Sequence, residues 1–227
     1  MITVMKKAIY FLVILVSIIS CKKADAEAMC DGCFTFYFVN PQPDNDSDLN
    51  GFPSKFKGLY KNTDSTFLRI EEDRILREYY FKNRIHKKFL DSLKSECQIT
   101  GNQLIIKETK QRVDMHLKGD SIELVRKDID TIFRFSYNQK AKRINGHLVL
   151  STRDSIFWKI RIMALEKNIL KIKNIYLPED LKKIDSVTAI KGKMLDSLSY
   201  LIKPTRKEFK NLLNIKNLGS DQEYTKI

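Results

Sequence analysis

The sequence predicts a mainly β protein, an antiparallel meander of about eight to ten strands that closes as a barrel or curves strongly, with two or three short helices. Three observations carry this reading. From Phe56 to Tyr176 apolar residues recur at every second position, the period of a half-buried strand. Turn pairs such as Asn145-Gly146 separate those runs, and both residues of such a pair accept positive φ. Long antiparallel meanders hide their edges by closing or by packing one part of the sheet on another.

Lys6 and Lys7 precede the uncharged apolar run Ala8 to Ile19, which ends at Ser20-Cys21. Such a run is too short to cross about 30 Å of hydrocarbon as a helix, and it suits the central region of a secretory signal. Ile18-Ile19-Ser20-Cys21 resembles a bacterial lipobox, which implies cleavage before Cys21 and lipidation of its thiol. Residues 1–20 are then a lipoprotein signal peptide, 21–55 a tether with one strand and a polar loop, and 56–227 a β-rich domain with a C-terminal helix. Lys22 rather than Asp follows Cys21. By resemblance to other Gram-negative lipoproteins this implies the outer membrane, with the periplasmic or surface face left open.

Cys30-Asp31-Gly32-Cys33 has the spacing of a redox pair. A strand-like run, Phe34 to Val39, follows it, where a thioredoxin-like site would open a helix. A structural disulfide is therefore expected, either Cys30–Cys33 or one of these with Cys97. No fourth ligand at zinc spacing is evident. Asn40 to Gly51, with two prolines among Asn and Asp, reads as a loop.

Within the meander, Leu68 and Ile70 alternate with Phe67 and Arg69. Thr131, Phe133, Phe135 and Tyr137 share one face, and Ile156, Trp158, Ile160 and Ile162 share another. Turns are expected at Gly101-Asn102, Gly119-Asp120, Asn145-Gly146 and Lys167-Asn168. The recurring Asp-Ser pairs at Asp64, Asp91, Asp120, Asp154, Asp185 and Asp196 read as turn chemistry. Ile85, Phe89 and Leu93 at i, i+4 and i+8 predict a helix inside the meander. Pro178-Glu179-Asp180 opens a second, and the capping box Thr205-x-x-Glu208, with Phe209, Leu212 and Leu213 as its apolar stripe, a third. Glu223 to Ile227 closes the sheet as a last strand.

Gly58-Leu59-Tyr60, ahead of the hairpin series, resembles the opening of calycin barrels such as lipocalins. The chain as a whole resembles uncharacterised Bacteroidota lipoproteins, in which β-meanders rich in Lys and Ile precede a helix like Pro204-Thr205-Arg206-Lys207-Glu208-Phe209. That resemblance implies no activity.

The chain carries 41 Lys and Arg against 28 Asp and Glu, a formal net charge of +13. An anionic partner is favoured, and the secretion signal turns the expectation from nucleic acid to lipid headgroups or an envelope protein. The clusters Lys82 to Lys88 and Lys140 to Arg143 read as solvated faces. His86, His116 and His147 have no His or Cys at ligand spacing, and no metal or cofactor is expected. Glu71-Glu72-Asp73 and Glu179-Asp180 read as turn and helix-start acids. No Gly-x-Ser-x-Gly or His-Glu-x-x-His occurs. The function expected is a non-catalytic, membrane-anchored envelope lipoprotein that binds another envelope component. The alternative is a carrier of a lipid or small apolar ligand, with Phe133, Phe135 and Trp158 as its ligand face.

Overall fold

The computed structural model describes residues 32–227, of which 33–227 form one compact unit. The described residues contain fifteen strands in chain order: β1 (Thr35–Phe38), β2 (Gly58–Lys61), β3 (Phe67–Ile70), β4 (Arg74–His86), β5 (Cys97–Thr100), β6 (Gln103–Ile106), β7 (Arg112–Lys118), β8 (Ser121–Arg134), β9 (Gln139–Ile144), β10 (His147–Asp154), β11 (Phe157–Glu166), β12 (Ile169–Asn174), β13 (Lys193–Asp196), β14 (Ser199–Ile202) and β15 (Ser220–Lys226). Three helices accompany them: α1 (Leu90–Leu93), α2 (Pro178–Val187) and α3 (Arg206–Leu213).

The mainly β expectation holds, with more strands than the alternating runs suggest. The surplus comes from four-residue strands such as β2, β5, β6, β13 and β14, too short to show a period. The sheet is curved and not closed, and it runs β13-β14-β1-β11-β12-β15-β2-β3-β4-β8-β7-β6-β5, with β10 and β9 branching from β11. It departs from a pure meander three times: β15 sits between β12 and β2, β1 lies between β14 and β11 and runs parallel to β14, and β4 pairs with β8 rather than β5. The stretch 33–55, read from sequence as tether, strand and loop, contributes β1 and the buried Phe52 to the same unit.

The turns form where Gly and Asn permit them. Asn145-Gly146 and Lys167-Asn168 both have positive φ at both positions, which matches the twist of the hairpins they join. The proposed helix through Ile85 is corrected. Ile85 lies in β4, paired with Ile122, and only a 3-10 turn (Lys87–Phe89) and the short α1 follow. Three residues leave their predicted faces: Thr131 is turned to the side opposite Phe133 by the extra residue Ile132 in β8, Ile156 is 66% exposed in the β10–β11 turn, and Tyr137 is 74% exposed beyond the end of β8. Alternation ends where the strand does.

Curvature gathers one face of the sheet into a single core. Phe52, Phe56, Tyr60, Leu68, Ile70, Ile75, Phe133, Ala141, Leu148, Leu150, Met163, Leu170, Ile172 and Tyr224 pack together, so strands far apart in the sheet order meet inside it. Phe52 and Phe56 enter from the segment before β2, and the Phe52 ring lies 5.6 Å from Phe133 and 4.9 Å from Phe135. On the outer face of β9, β10 and β11, a second core joins Phe36, Phe38, Trp158, Ile160 and Ile162 to Ile184 of α2 and to Phe209 and Leu212 of α3. α3 begins with the predicted capping box: Thr205 accepts from the Glu208 backbone and Glu208 accepts from the Thr205 backbone. β4 and β8 continue well beyond the first core, paired from Arg74–Arg134 to His86–Ser121, and carry β7, β6, β5 and α1 as an extension. Its buried apolar residues are Leu93, Cys97, Leu104, Val113, Met115 and Ile122, and the Arg126 side chain is buried beside them in the same strand pair.

Phe52→Ala should lower stability by about 3–5 kcal/mol, the usual range for an aromatic deleted from a packed core, read as a shift in urea midpoint. Gly219→Ala should be at least as damaging. Gly219 has φ +65, and a Cβ there collides with the carbonyl oxygen of Asn174.

Candidate functional site

In β3, β4, β8 and β7 the side chains that point away from the core form one exposed face. Strand alternation and the cross-strand register assign its members, since paired residues lie on the same side. Leu68 and Ile70 point inward, so Phe67 and Arg69 point out. Phe67 pairs with Glu78, Tyr80 with Lys127, Lys82 with Val125, Arg84 with Glu123 and His86 with Ser121. On β7, His116 lies opposite Glu123 and Lys118 opposite Ser121. Alternation from the inward Ile75 puts Leu76, Glu78, Tyr80, Lys82, Arg84 and His86 on the outer side, and the extra residue Ile132 brings Thr131, Ile129 and Lys127 of β8 to the same side.

Charge on this face is organised around two carboxylates. Glu78 is only 6% exposed and is held by Arg69 at 2.8 Å and Lys127 at 2.6 Å. Burial pushes its carboxyl up, but hydrogen bonds from Arg69 and Lys127 outweigh that and leave it below the usual range. Glu123 lies 3.2 Å from Lys118 and 3.9 Å from Arg84. The hydrogen bond from Lys118 pulls its pKa down, with Lys82 and Arg84 adding to the field. Five cations thus meet two carboxylates, and the excess stays positive because Arg112 and Asp114 farther along β7 offset each other. Apolar surface is interleaved: Tyr80 is 45% exposed, Ile129 54%, and the Phe67 ring lies 6.1 Å from Tyr80 with Lys61 over its face.

Other charged groups are engaged structurally. Tyr37 donates to Asp154 at 2.9 Å and Lys159 pairs with the same carboxylate at 2.8 Å. The Lys159 ammonium holds Asp154 below its usual range. Lys142 is buried, donates to the carbonyls of Pro41 and Pro43, and has its pKa lowered by burial. It anchors the Asn40–Gly51 loop from beneath, while Asp48 of that loop pairs with Lys140 and Asp46 with Arg206. Among the described residues no cluster of His, Cys, Asp or Glu is arranged to hold a metal ion. Glu71 and Asp73 pair with Arg74, and Asp180 accepts from the backbone N–H of Leu177 and Gly219, so these acids serve turns and a helix start.

The residues singled out in the sequence are dispersed. Phe133 and Phe135 pack with Phe52 in the inner core, whereas Trp158 belongs to the outer core against α2 and α3, so the three form no common ligand face. The parity of β11 decides this: Met163 faces inward, and Trp158, Ile160 and Ile162 face out. Cys33 is disulfide-bonded, but Cys97 is a free, buried thiol, which corrects the alternative of a bridge through Cys97. Burial pushes that thiol up. Cys21 and Cys30 lie outside the described residues. The His86 ring accepts from the Lys88 backbone, His116 is exposed on β7, and His147 contacts the Asn145 carbonyl. A cavity of about 170 Å³ lies between Ile162 and Ala164 of β11 and Leu212, Leu213, Ile215 and Leu218, rimmed by Lys171, Lys173 and Asp221. The basic face has a signal in the sequence, the period-two stripe Tyr80-x-Lys82-x-Arg84-x-His86, which the helical spacing of Ile85, Phe89 and Leu93 masks.

The chain has no match among protein-family models, curated proteins or solved structures.

Glu78 ties stability to pH. Its folded pKa lies below its usual 4.5, so its contribution is complete above that value and is lost as pH falls through the lowered one. In urea titrations Glu78→Gln should be clearly less stable than the parent at pH 7, and the gap should shrink as pH approaches 3. A gap independent of pH would contradict this assignment.

Proposed function

We propose that this chain is a lipid-anchored envelope protein of the outer membrane that works by binding another envelope component rather than by catalysis. The observation that carries the reading is the N-terminal order of Lys6-Lys7, the apolar run Ala8 to Ile19, and Ser20-Cys21. Acyl chains on Cys21, at about 0.8 kcal/mol per buried methylene, would make the attachment effectively permanent. The domain described from Cys33 onward would then sit on a tether that spans at most about 40 Å when extended.

The charge interactions of the exposed face fit a binding surface. The exposed-face acids Glu78 and Glu123 and the paired Asp154 are all held low by lysine or arginine neighbours, and Lys159 is raised by Asp154 against its own burial. Those shifts stabilise ion pairs at neutral pH, which keeps these groups charged for contact with a charged partner. An apolar-ligand carrier would need space in the inner core, where Phe52, Phe56 and Tyr60 are packed.

Fractionation tests the anchor. The parent chain should remain with membranes through a wash at about 1 M salt, where the screening length is about 3 Å, and Cys21→Ser should be released by it. A Cys21→Ser chain that resists the wash as the parent does would remove the lipid from the proposal.

A further inference from the structure

We propose that the outer face of β3, β4, β8 and β7 docks on the anionic headgroup surface of the membrane that carries the tether, so that the extension lies along the bilayer. This inference rests on the anchored reading and names the partner of the exposed face.

Charge complementarity selects the occupant. Lys82, Arg84, Lys118, Arg69 and Lys127 lie on one face with only Glu78 and Glu123 among them, and Lys82 makes no ion pair among the described residues. Holding these cations together without a counter-surface costs repulsion, which an array of phosphates relieves. Juxtamembrane bases are attracted to anionic lipid in this way, and the attraction fades within a Debye length. The exposed apolar members fit the same partner. Tyr80 carries an exposed aromatic ring that favours the headgroup region, backed by the half-buried Phe67 with Lys61 over its ring at 5.6 Å, and Ile129 adds exposed aliphatic surface.

Shape and reach agree with this occupant. The β4–β8 pairing from Arg74 to His86 spans about 40 Å at the rise of an antiparallel strand, and its outer side chains form rows across four strands. A sheet face of this extent suits a planar array of headgroups better than a single small anion. The tether, at most about 40 Å long, lets the domain lie down on the surface that holds Cys21. Docking also explains why this face keeps aromatic and aliphatic groups beside unpaired lysine, where water alone would favour charge throughout.

The test uses the chain from residue 21 onward carrying Cys21→Ser, so no acyl group contributes, and vesicles of phosphatidylcholine with or without about one-third phosphatidylglycerol. The protein should co-sediment with the anionic vesicles at low ionic strength and not with the neutral ones, and about 1 M salt should release it. Lys82→Glu with Arg84→Glu should weaken binding by about tenfold or more. The same charge change on α3, Lys207→Glu with Lys210→Glu, should leave it within about twofold. Hydrogen exchange of the parent on anionic vesicles gives a readout that needs no variant, with protection expected across residues 80–86 and 116–127. No affinity for anionic vesicles, equal losses in the two variants, protection confined to other strands, or capture of an acidic protein in place of vesicles would each overturn the proposal. Because this protein carries no lipid, these outcomes are separate from the fractionation result: the anchor can fail while the face binds, and the reverse.

Discussion

Strand β11 has to satisfy neighbours on both edges and both faces at once. One edge pairs with β10 from Phe157 to Met163; the other is shared, with β1 at Trp158 and β12 from Ile162 to Glu166. Met163 enters the inner core, while Trp158, Ile160 and Ile162 enter the outer one against α2 and α3. A strand buried on one face from Trp158 to Ile162 and on the other at Met163 leaves little freedom of register, because a slip of one residue would exchange its two faces. The sheet branches at this strand, and its outer face shares a core with both longer helices. Lys159 and Arg161 are the exceptions along it, and Lys159 is accommodated by Asp154 and Tyr37 at the strand's start.

The extension obeys a different balance. Beyond Ile75 and Phe133 the β4–β8 pair leaves the inner core, and its stability comes from the long ladder and from the buried apolar residues Leu104, Met115 and Ile122. Exposed ion pairs contribute about 0–1 kcal/mol each, so Lys118–Glu123 does little for folding. Arg69–Glu78–Lys127 matters more because the carboxylate between the two cations is nearly buried. Loss of either cation would leave a desolvated charge with half its compensation. The outer face is consequently free to carry an excess of positive charge, since its fold does not depend on neutralising every lysine.

The buried Lys142 shows how a loop that looks like a spacer becomes part of the domain. Asn40 to Gly51 has the composition of a linker, yet the ammonium beneath it bonds two proline carbonyls and faces Asp48, and Leu49 packs against the inner core. The partner is about a hundred residues away in sequence, in a lysine-rich run that by composition alone reads as solvated surface.

Local chemistry made several elements legible in the sequence by itself. Asn145-Gly146 and Lys167-Asn168 form tight turns because the backbone there requires positive φ; Thr205 and Glu208 cap α3 and Pro178 starts α2 because those signals act within one helical turn. The mainly β class follows from a period that each strand displays alone. Tertiary structure decided what depends on partners distant in the chain: the insertion of β15 between β12 and β2, the parallel pairing of β1 with β14, and the separation of Trp158 from Phe133. It also decided that Tyr80, Lys82 and Arg84 form a sheet face and not a helix, because Ile85 finds Ile122 across the ladder, and a cross-strand partner nearly forty residues away outweighs a helical spacing that its own segment could satisfy only in isolation.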